Sequence, residues 1–247
     1  MTDRELDWDG CLNVRDLGGV PLEGGGETRF GSFVRADNIH RLTDEGWHAL
    51  ATHGVQRIVD LRWQEELDDD PPRDLDVEVV HVSLLGELDP DFTDDVADYM
   101  ATDDPAGYWS VAYTRILGAY DENFAAALAA IADADGTVVF HCAGGKDRTG
   151  LIAALLLRLA GVGIDEIARD YSLTFAMRSR GPDAWVEEAT DEWERERRTF
   201  MQNTPPEAMR RALERLERKH GSVEQYLRRA GLDDERLERL RERLAPA

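Results

Sequence analysis

The stretch 137-TVVFHCAGGKDRTGLIAALLLRLAG-161 decides how this chain folds. Thr137 to Phe140 are β-branched or aromatic, the composition of a buried strand that ends at His141. Leu151 to Leu157 are all apolar, which suits a helix buried on every side and stopped at Gly161. Between strand and helix lie Cys142, Ala143, Gly144, Gly145, Lys146 and Asp147. Cys142 therefore sits at the C-terminal end of a strand. The helix starting near Arg148 points its N-terminus back at the loop. Gly144 and Gly145 let the backbone curl, so that N–H groups from Ala143 to Arg148, which have no intrahelical acceptor, converge. A nest of this kind on a helix dipole binds anions, and the same field favours the ionised form of a thiol at its centre.

The side chains around the nest extend this chemistry. A thiolate at position 142 is a strong nucleophile. Arg148 offers a planar, permanently charged fork for two oxygens of a tetrahedral oxyanion. Thr149 is placed to donate its hydroxyl to the sulfur, and His141 to anchor the loop backbone. These parts suit phosphoryl transfer: in-line attack by sulfur on phosphorus, equatorial oxygens held by the nest and Arg148, and an acid for the leaving alcohol. The Walker pattern is absent, because Lys146 lacks the surrounding Gly and Ser/Thr frame. The bland reading of Cys142, an inert small hydrophobe after a buried strand, does not account for the conjunction of His141, Cys142, Arg148 and Thr149.

Outward from this stretch, residues 11–36 read as short strands and glycine turns, with Gly24, Gly25 and Gly26 as a hairpin tip. Thr43 reads as the N-cap of a helix that stops at Gly54. Residues 55–62 and 77–84 read as strands, with a polar loop between them. Residues 89–110 read as a partly helical cover segment, and 114–134 as a single helix. From 164 onward the chain reads as helix. Strands alternating with helices predict an α/β sandwich whose central sheet is largely parallel, in one domain over 1–247 with a helical part over about 164–247.

Composition narrows the function. The chain has 247 residues, 42% hydrophobic and 32% charged, enough for a substantial core. Asp and Glu number 51 against 29 Lys and Arg, a net charge of -22. Such a surface repels nucleic acid and anionic lipid, so neither a nucleic-acid partner nor stable membrane association is expected. The only lysines are Lys146 and Lys219. Two cysteines, Cys11 and Cys142, form no disulfide framework and suit a reducing compartment; Cys11 reads as structural rather than as a redox partner. The N-terminus has no apolar signal region, so the expected location is cytoplasmic, with signal-less export left open. The six histidines do not fall into metal-ligand spacing; His48 and His53 are five apart. No metal and no cofactor are expected.

HCAGGKDRTG resembles the H-C-x5-R-T signature of cysteine-dependent protein tyrosine phosphatases, in the GKDRTG form of an atypical bacterial branch. NVRDLGG (13–19), FVRADNIHRLTDEG, VDLRWQEE (59–66) and GSVEQYLRRAGLDDERLERLRERL are similar to other blocks of that branch, so the resemblance spans most of the chain. It implies the tyrosine-phosphatase sandwich fold, with Cys142 as nucleophile and Arg148 as phosphate clamp. Ala143, Gly144, Gly145, Lys146 and Thr149 would contact the substrate phosphate. It also implies phosphotyrosine proteins or other phosphomonoesters as substrates, with phosphoserine/threonine (dual specificity) and phosphoinositides as alternatives, and inhibition by phosphate- or vanadate-like oxyanions.

The acid is less determined. No W-P-D string occurs, and the resemblance points to Asp147 inside the loop. Asp60, at the C-terminal end of a parallel strand, and Asp89 or Asp91 are rivals. Asp60 is otherwise the partner of Arg62 or Arg15 in an ion pair, and is counted as supporting. Lys146 would either receive an additional substrate phosphate or acidic flanking residues, or support the thiolate electrostatically. Tyr99, Tyr108, Trp109 and Tyr113 would form a lid or pack a helix. Arg169, Arg178 and Arg180 would line a phosphate-attracting entrance. Two other functions compete: a non-catalytic phosphate-binding module, which would usually lack Cys142 or Arg148, and a sulfur-transfer enzyme, which would usually carry a second nearby thiol.

Overall fold

The computed structural model describes residues 3–71, 77–86, 96–181 and 184–246. Five strands, β1 (Arg15–Asp16), β2 (Phe33–Ala36), β3 (Val55–Asp60), β4 (Glu78–His81) and β5 (Thr137–His141), form one sheet in the order β1-β2-β5-β3-β4. Only β1 runs antiparallel to its neighbour. The strand expected over 77–84 is confined to β4. In chain order the helices are α1 (Asp44–Thr52), α2 (Gln64–Asp69), α3 (Val96–Ala101), α4 (Pro105–Ala119), α5 (Asp121–Ala132) and α6 (Arg148–Leu159). They continue as α7 (Ile164–Arg178), α8 (Ala184–Glu187), α9 (Glu192–Gln202), α10 (Pro206–His220), α11 (Val223–Arg229) and α12 (Asp234–Leu244).

Alternation along β5 sorts the core into two layers, because successive strand side chains face opposite sides. Val138 and Phe140 join Phe33, Val59 and the apolar residues of α4, α5, α6 and the C-terminal helices. Val139 joins Val34, Ile58 and Leu50 on the side covered by α1. Each such fully buried side chain contributes roughly 1.5–3 kcal/mol by leaving water. The middle position of β5, hydrogen-bonded on both sides, explains why its buried residues Val138, Val139 and Phe140 are all apolar.

The expected caps are present. The Thr43 hydroxyl accepts from Gly46 N–H, and Gly54 follows with a positive φ of 82°. Leu22 N–H donates to Gly26 O at 3.0 Å and closes the glycine turn. One expectation is corrected: 114–134 is not a single helix. Tyr120, with φ -124° and ψ 29°, ends α4 and begins α5, and the acidic Asp121 and Glu122 favour a new N-terminus there. The helix α4 starts upstream at Pro105, capped by Asp104, whose side chain accepts from Gly107 N–H. Its apolar spacing runs on into α5 without a break, so periodicity alone does not reveal the bend.

The parallel register brings strand ends together. Ala36 and Asp60 both lie opposite His141. The residues that follow, Asp37, Leu61 and Cys142, thus emerge on one carboxyl edge, where open α/β sheets build their sites.

Candidate active site

Cys142 leaves the end of β5 and Arg148 opens α6, so the loop between them faces the carboxyl edge of the sheet. Thr149, on the first turn of α6, donates its hydroxyl to the Cys142 sulfur at 3.2 Å. Gly145 takes a φ of 62°. A Cβ there would come within 2.7 Å of Ala36 O, which leaves glycine as the residue that fits. The loop forms one wall of an open cleft of ≈430 Å³, to which Ala143, Gly144, Lys146, Asp147 and Arg148 contribute. Trp63, Trp109 and Trp185 add aromatic surface to the same cleft, and Arg41 and Arg178 add cationic groups.

Arg148 is held from outside the loop. Its two terminal nitrogens grip the carboxylate of Glu66, with Nη2 to Oε1 at 2.9 Å. The guanidinium carbon lies 4.3 Å from the centre of the Trp63 ring. Burial opposes the charge on Arg148, but the facing Cys142 sulfur and Glu66 carboxylate outweigh it and raise the Arg148 pKa. Burial likewise opposes the Glu66 charge, and Arg148 overcomes it, so the Glu66 pKa is lowered. Trp63 N–H donates to Glu66 Oε2 at 2.8 Å and fixes the carboxylate at the start of α2. Glu66 and Trp63 are functional neighbours that sequence reasoning missed. The signal was the VDLRWQEE block, read for its resemblance, its strand and the Asp60–Arg62 pair, without a role for Trp63 or Glu66.

Asp147 is the N-cap residue of α6, yet its carboxylate makes no capping bond. It accepts instead from the Tyr113 hydroxyl at 2.6 Å, and Tyr113 in turn lies 2.7 Å from the Tyr171 hydroxyl. Burial first, and Asp147 next, push both phenol pKa values up. Both phenols keep their protons, so Tyr113 donates to Asp147 and Tyr171 donates to Tyr113. The aromatic residues of α4 therefore pack the core, and two of them also reach the loop. Tyr108 and Tyr99 meet edge to face at 5.8 Å, whereas Trp109 and Tyr113 touch Lys146 and Asp147.

Lys146 is 3% exposed. Its ammonium donates to Met201 O at 2.5 Å, lies 3.3 Å from the centre of the Trp109 ring and 3.3 Å from Asp147 Oδ1. Burial lowers its pKa to about 8, with Asp147 opposing the shift. Its contacts tie the loop to the end of α9 instead of presenting a free cation to a second phosphate.

Asp60 does not point into the cleft. It is 1% exposed and receives Arg62 through both oxygens, with Nη2 to Oδ2 at 2.8 Å. The ion pair expected as the alternative role of Asp60 is thus the one present, and Asp60 is not among the residues that line the cleft. Burial opposes the Asp60 charge, but His40, His141 and Arg62 hold its pKa far below the carboxylate range. Asp89 and Asp91 lie outside the described residues. His141 Nε2 stands 3.6 Å from Asp60 Oδ2 and its ring meets His40 edge to face at 5.4 Å. His40, Asp60 and His141 offer donor atoms within 4.8 Å of one another, a spacing that sequence distance hid. Both Asp60 oxygens already serve Arg62, so a cation would have to share them with a guanidinium. Cys11 donates to Asn38 O at 3.4 Å, and burial followed by Asp37 pushes its thiol pKa far up, as a structural cysteine requires. Of the three arginines expected at the entrance, only Arg178 lines the cleft; Arg169 pairs with Glu166 and Arg180 with Glu5.

Burial lowers the His141 pKa from 6.5 to about 4, with Asp60 opposing. Between these values the unfolded chain binds the proton and the folded one does not. Stability should therefore fall as pH drops from 6.5 to 4, by roughly 3 kcal/mol from this group alone. Asp60 and Asp170 have lowered pKa values and add to the loss below about pH 4, where their unfolded counterparts protonate. Urea midpoints measured at pH 7, 5.5 and 4 check this; a flat profile would contradict it.

A model of the tyrosine phosphatase family matches residues 6–246. A tyrosine-protein phosphatase of Nostoc commune is 32% identical over 233 residues, which cover 87% of this chain and 75% of that protein. The triple specificity protein phosphatase PtpB of Mycobacterium tuberculosis is 27% identical over 277 aligned positions, covering 98% of each chain. Among the described residues, no helix is long and apolar enough to cross a membrane.

Proposed function

The chain belongs to the tyrosine phosphatase family and is a protein-tyrosine phosphatase acting on phosphoesters, and on that premise we propose a covalent mechanism centred on Cys142. The observation that carries it is the sulfur of Cys142, buried at the base of the loop and bonded by Thr149 at 3.2 Å, together with the Glu66-held fork of Arg148 at the loop's other end. Sulfur attacks phosphorus in line and the S–P bond forms as the P–O bond to the leaving group breaks. Arg148 and the loop amides hold the equatorial oxygens, where charge accumulates in the transition state. Asp147 gives its proton to the leaving oxygen. A water then attacks phosphorus, the S–P bond breaks, sulfur leaves as thiolate, and the Asp147 carboxylate takes the proton of that water.

The position of Asp147 supports this role. It lines the cleft beside Arg148, and its Tyr113 bond fixes one oxygen while the other stays available. Asp147→Asn should lower kcat by about 10²- to 10³-fold on alkyl phosphates and far less on p-nitrophenyl phosphate, whose leaving group needs little protonation. Equal losses on both substrates would remove Asp147 from the acid role.

Trp63 and Trp185 give the cleft apolar walls suited to a phosphotyrosine ring. We assign phosphotyrosine proteins as substrates, with phosphoserine and phosphothreonine peptides as further ones, and phosphate and vanadate as competitive inhibitors. The Mycobacterium relative, named for triple specificity, supports the broader range. Lys146, engaged by Met201 and Trp109, does not support the reading of a second phosphate site at that residue.

A further inference from the structure

An anion nest works only if its N–H groups face the anion, and the small residues Ala143, Gly144 and Gly145 have no polar side chain to turn them. The turning groups come from the N-terminal segment. Ala143 O accepts from Asn38 N–H at 3.2 Å. Gly144 O accepts from Asn13 Nδ2 at 3.3 Å, and Gly145 O accepts from the same atom at 3.0 Å. Arg35 Nη2 adds a second bond to Gly145 O at 2.9 Å. Three successive carbonyls are thereby drawn to one side. A trans peptide is planar and sets its N–H opposite its C=O, and no cis bond occurs among the described residues. The N–H groups of Gly144, Gly145 and Lys146 are therefore turned the other way. None of them donates to an acceptor among the described residues.

The donors are themselves locked. Asn13 Oδ1 accepts from Arg15 Nη1 at 2.5 Å, which fixes the orientation of the amide and aims Nδ2 at the loop. Asn13 N–H donates to Asp37 Oδ1 at 3.1 Å. Arg15 and Arg35 share one carboxylate, Asp170, at 3.1 and 2.7 Å. Arg4 pairs with the same acid at 2.6 Å, so three guanidinium groups face a single buried carboxylate, leaving an excess of positive charge around it behind the loop. The nest and a bound oxyanion lie in that field.

We propose that Asn13 and Arg35, oriented through Arg15 and Asp170, are positioning residues that hold the loop carbonyls outward and so aim the loop amides at the substrate phosphoryl group. They act through the loop and touch no substrate. The inference rests on the phosphatase reading of the same loop.

Asn13→Asp tests it. The substitution keeps the size and the oxygen that faces Arg15, and replaces the Nδ2 donor by an oxygen that repels two carbonyls. Inorganic tungstate is the probe, titrated calorimetrically into the unaltered protein and the variant, alongside p-nitrophenyl phosphate kinetics and melting temperature. The tungstate Kd should rise at least about tenfold and kcat/KM should fall by about 10²-fold in the folded variant. An asparagine that only stabilises the fold would lower the melting temperature and leave the tungstate Kd of the folded protein unchanged. A folded Asn13→Asp with a Kd within about twofold of the unaltered protein would overturn the inference. Should that variant not fold, Arg35→Lys keeps a charge for Asp170 and gives up the reach to Gly145 O; it is expected to weaken tungstate about fivefold or more, and an unchanged Kd would overturn the inference. No tungstate binding by the unaltered protein would instead remove the phosphatase reading, a pattern distinct from binding that survives in the variants.

Discussion

Cys142→Ser should abolish hydrolysis of p-nitrophenyl phosphate in EDTA, with a loss of about 10⁵-fold or more in kcat. Removing the nucleophile of a covalent mechanism removes the pathway itself, not one contribution to it. The substitution changes one atom in a site that is 2% exposed, and the Thr149 hydroxyl still finds an acceptor there, so the fold should survive. The nest and Arg148 remain, and the variant should therefore still bind phosphate or tungstate. Retained binding together with lost turnover separates a chemical role from collapse of the loop. A phosphate-binding module without catalysis would show binding in both proteins and turnover in neither.

Arg148→Lys should cost the second-largest share, about 10²- to 10³-fold in kcat/KM, or roughly 2.7–4 kcal/mol of transition-state stabilisation. The charge is kept and the fork is lost, and a planar two-point grip has no equivalent in an ammonium. The variant also leaves Glu66 without its bidentate partner in a half-buried position. Affinity for phosphate should fall together with kcat. Kinetics on p-nitrophenyl phosphate with phosphate as competitive inhibitor check both. A variant that keeps its kcat/KM would mean that the arginine serves the fold and not the oxyanion.

The loop and its strand were legible in the sequence because their signals are local. β-Branched residues at 137–139 and Phe140, two glycines, and an unbroken apolar run specify strand, turn and buried helix within one stretch. Thr149 and Cys142 meet across seven positions, close enough for the loop geometry alone to join them. The residues that hold the loop were not legible, since the sheet brings them from far away. Glu66 reaches Arg148 across 82 positions, Tyr113 reaches Asp147 across 34, and Asn13 reaches Gly145 across 132. The register that aligns Ala36, His141 and Asp60 brings the strand-end segments to the loop, and the packing of α4 brings Tyr113. The NVRDLGG and VDLRWQEE blocks marked the places, but their chemistry follows from packing.

Asp60 and Lys146 show how burial decides among roles that sequence leaves open. A carboxylate at a strand end resembles an acid until Arg62, His40 and His141 enclose it. A lysine in the loop resembles a phosphate ligand until the carbonyl of Met201 and the face of Trp109 take its ammonium. Asp60 lies behind the loop, whereas Lys146 lines the cleft with its ammonium engaged by the protein. Asp147, the next residue after Lys146, faces the cleft and accepts a hydrogen bond from Tyr113.

The central claim is a phosphoryl group carried on one sulfur. Rapid acid quenching of the protein during turnover of p-nitrophenyl phosphate, followed by mass spectrometry of its peptides, tests that claim most directly. The account predicts a peptide containing Cys142 heavier by one phosphoryl group, absent from Cys142→Ser. Sustained turnover with no adduct at Cys142, or with the adduct on another residue, would contradict it.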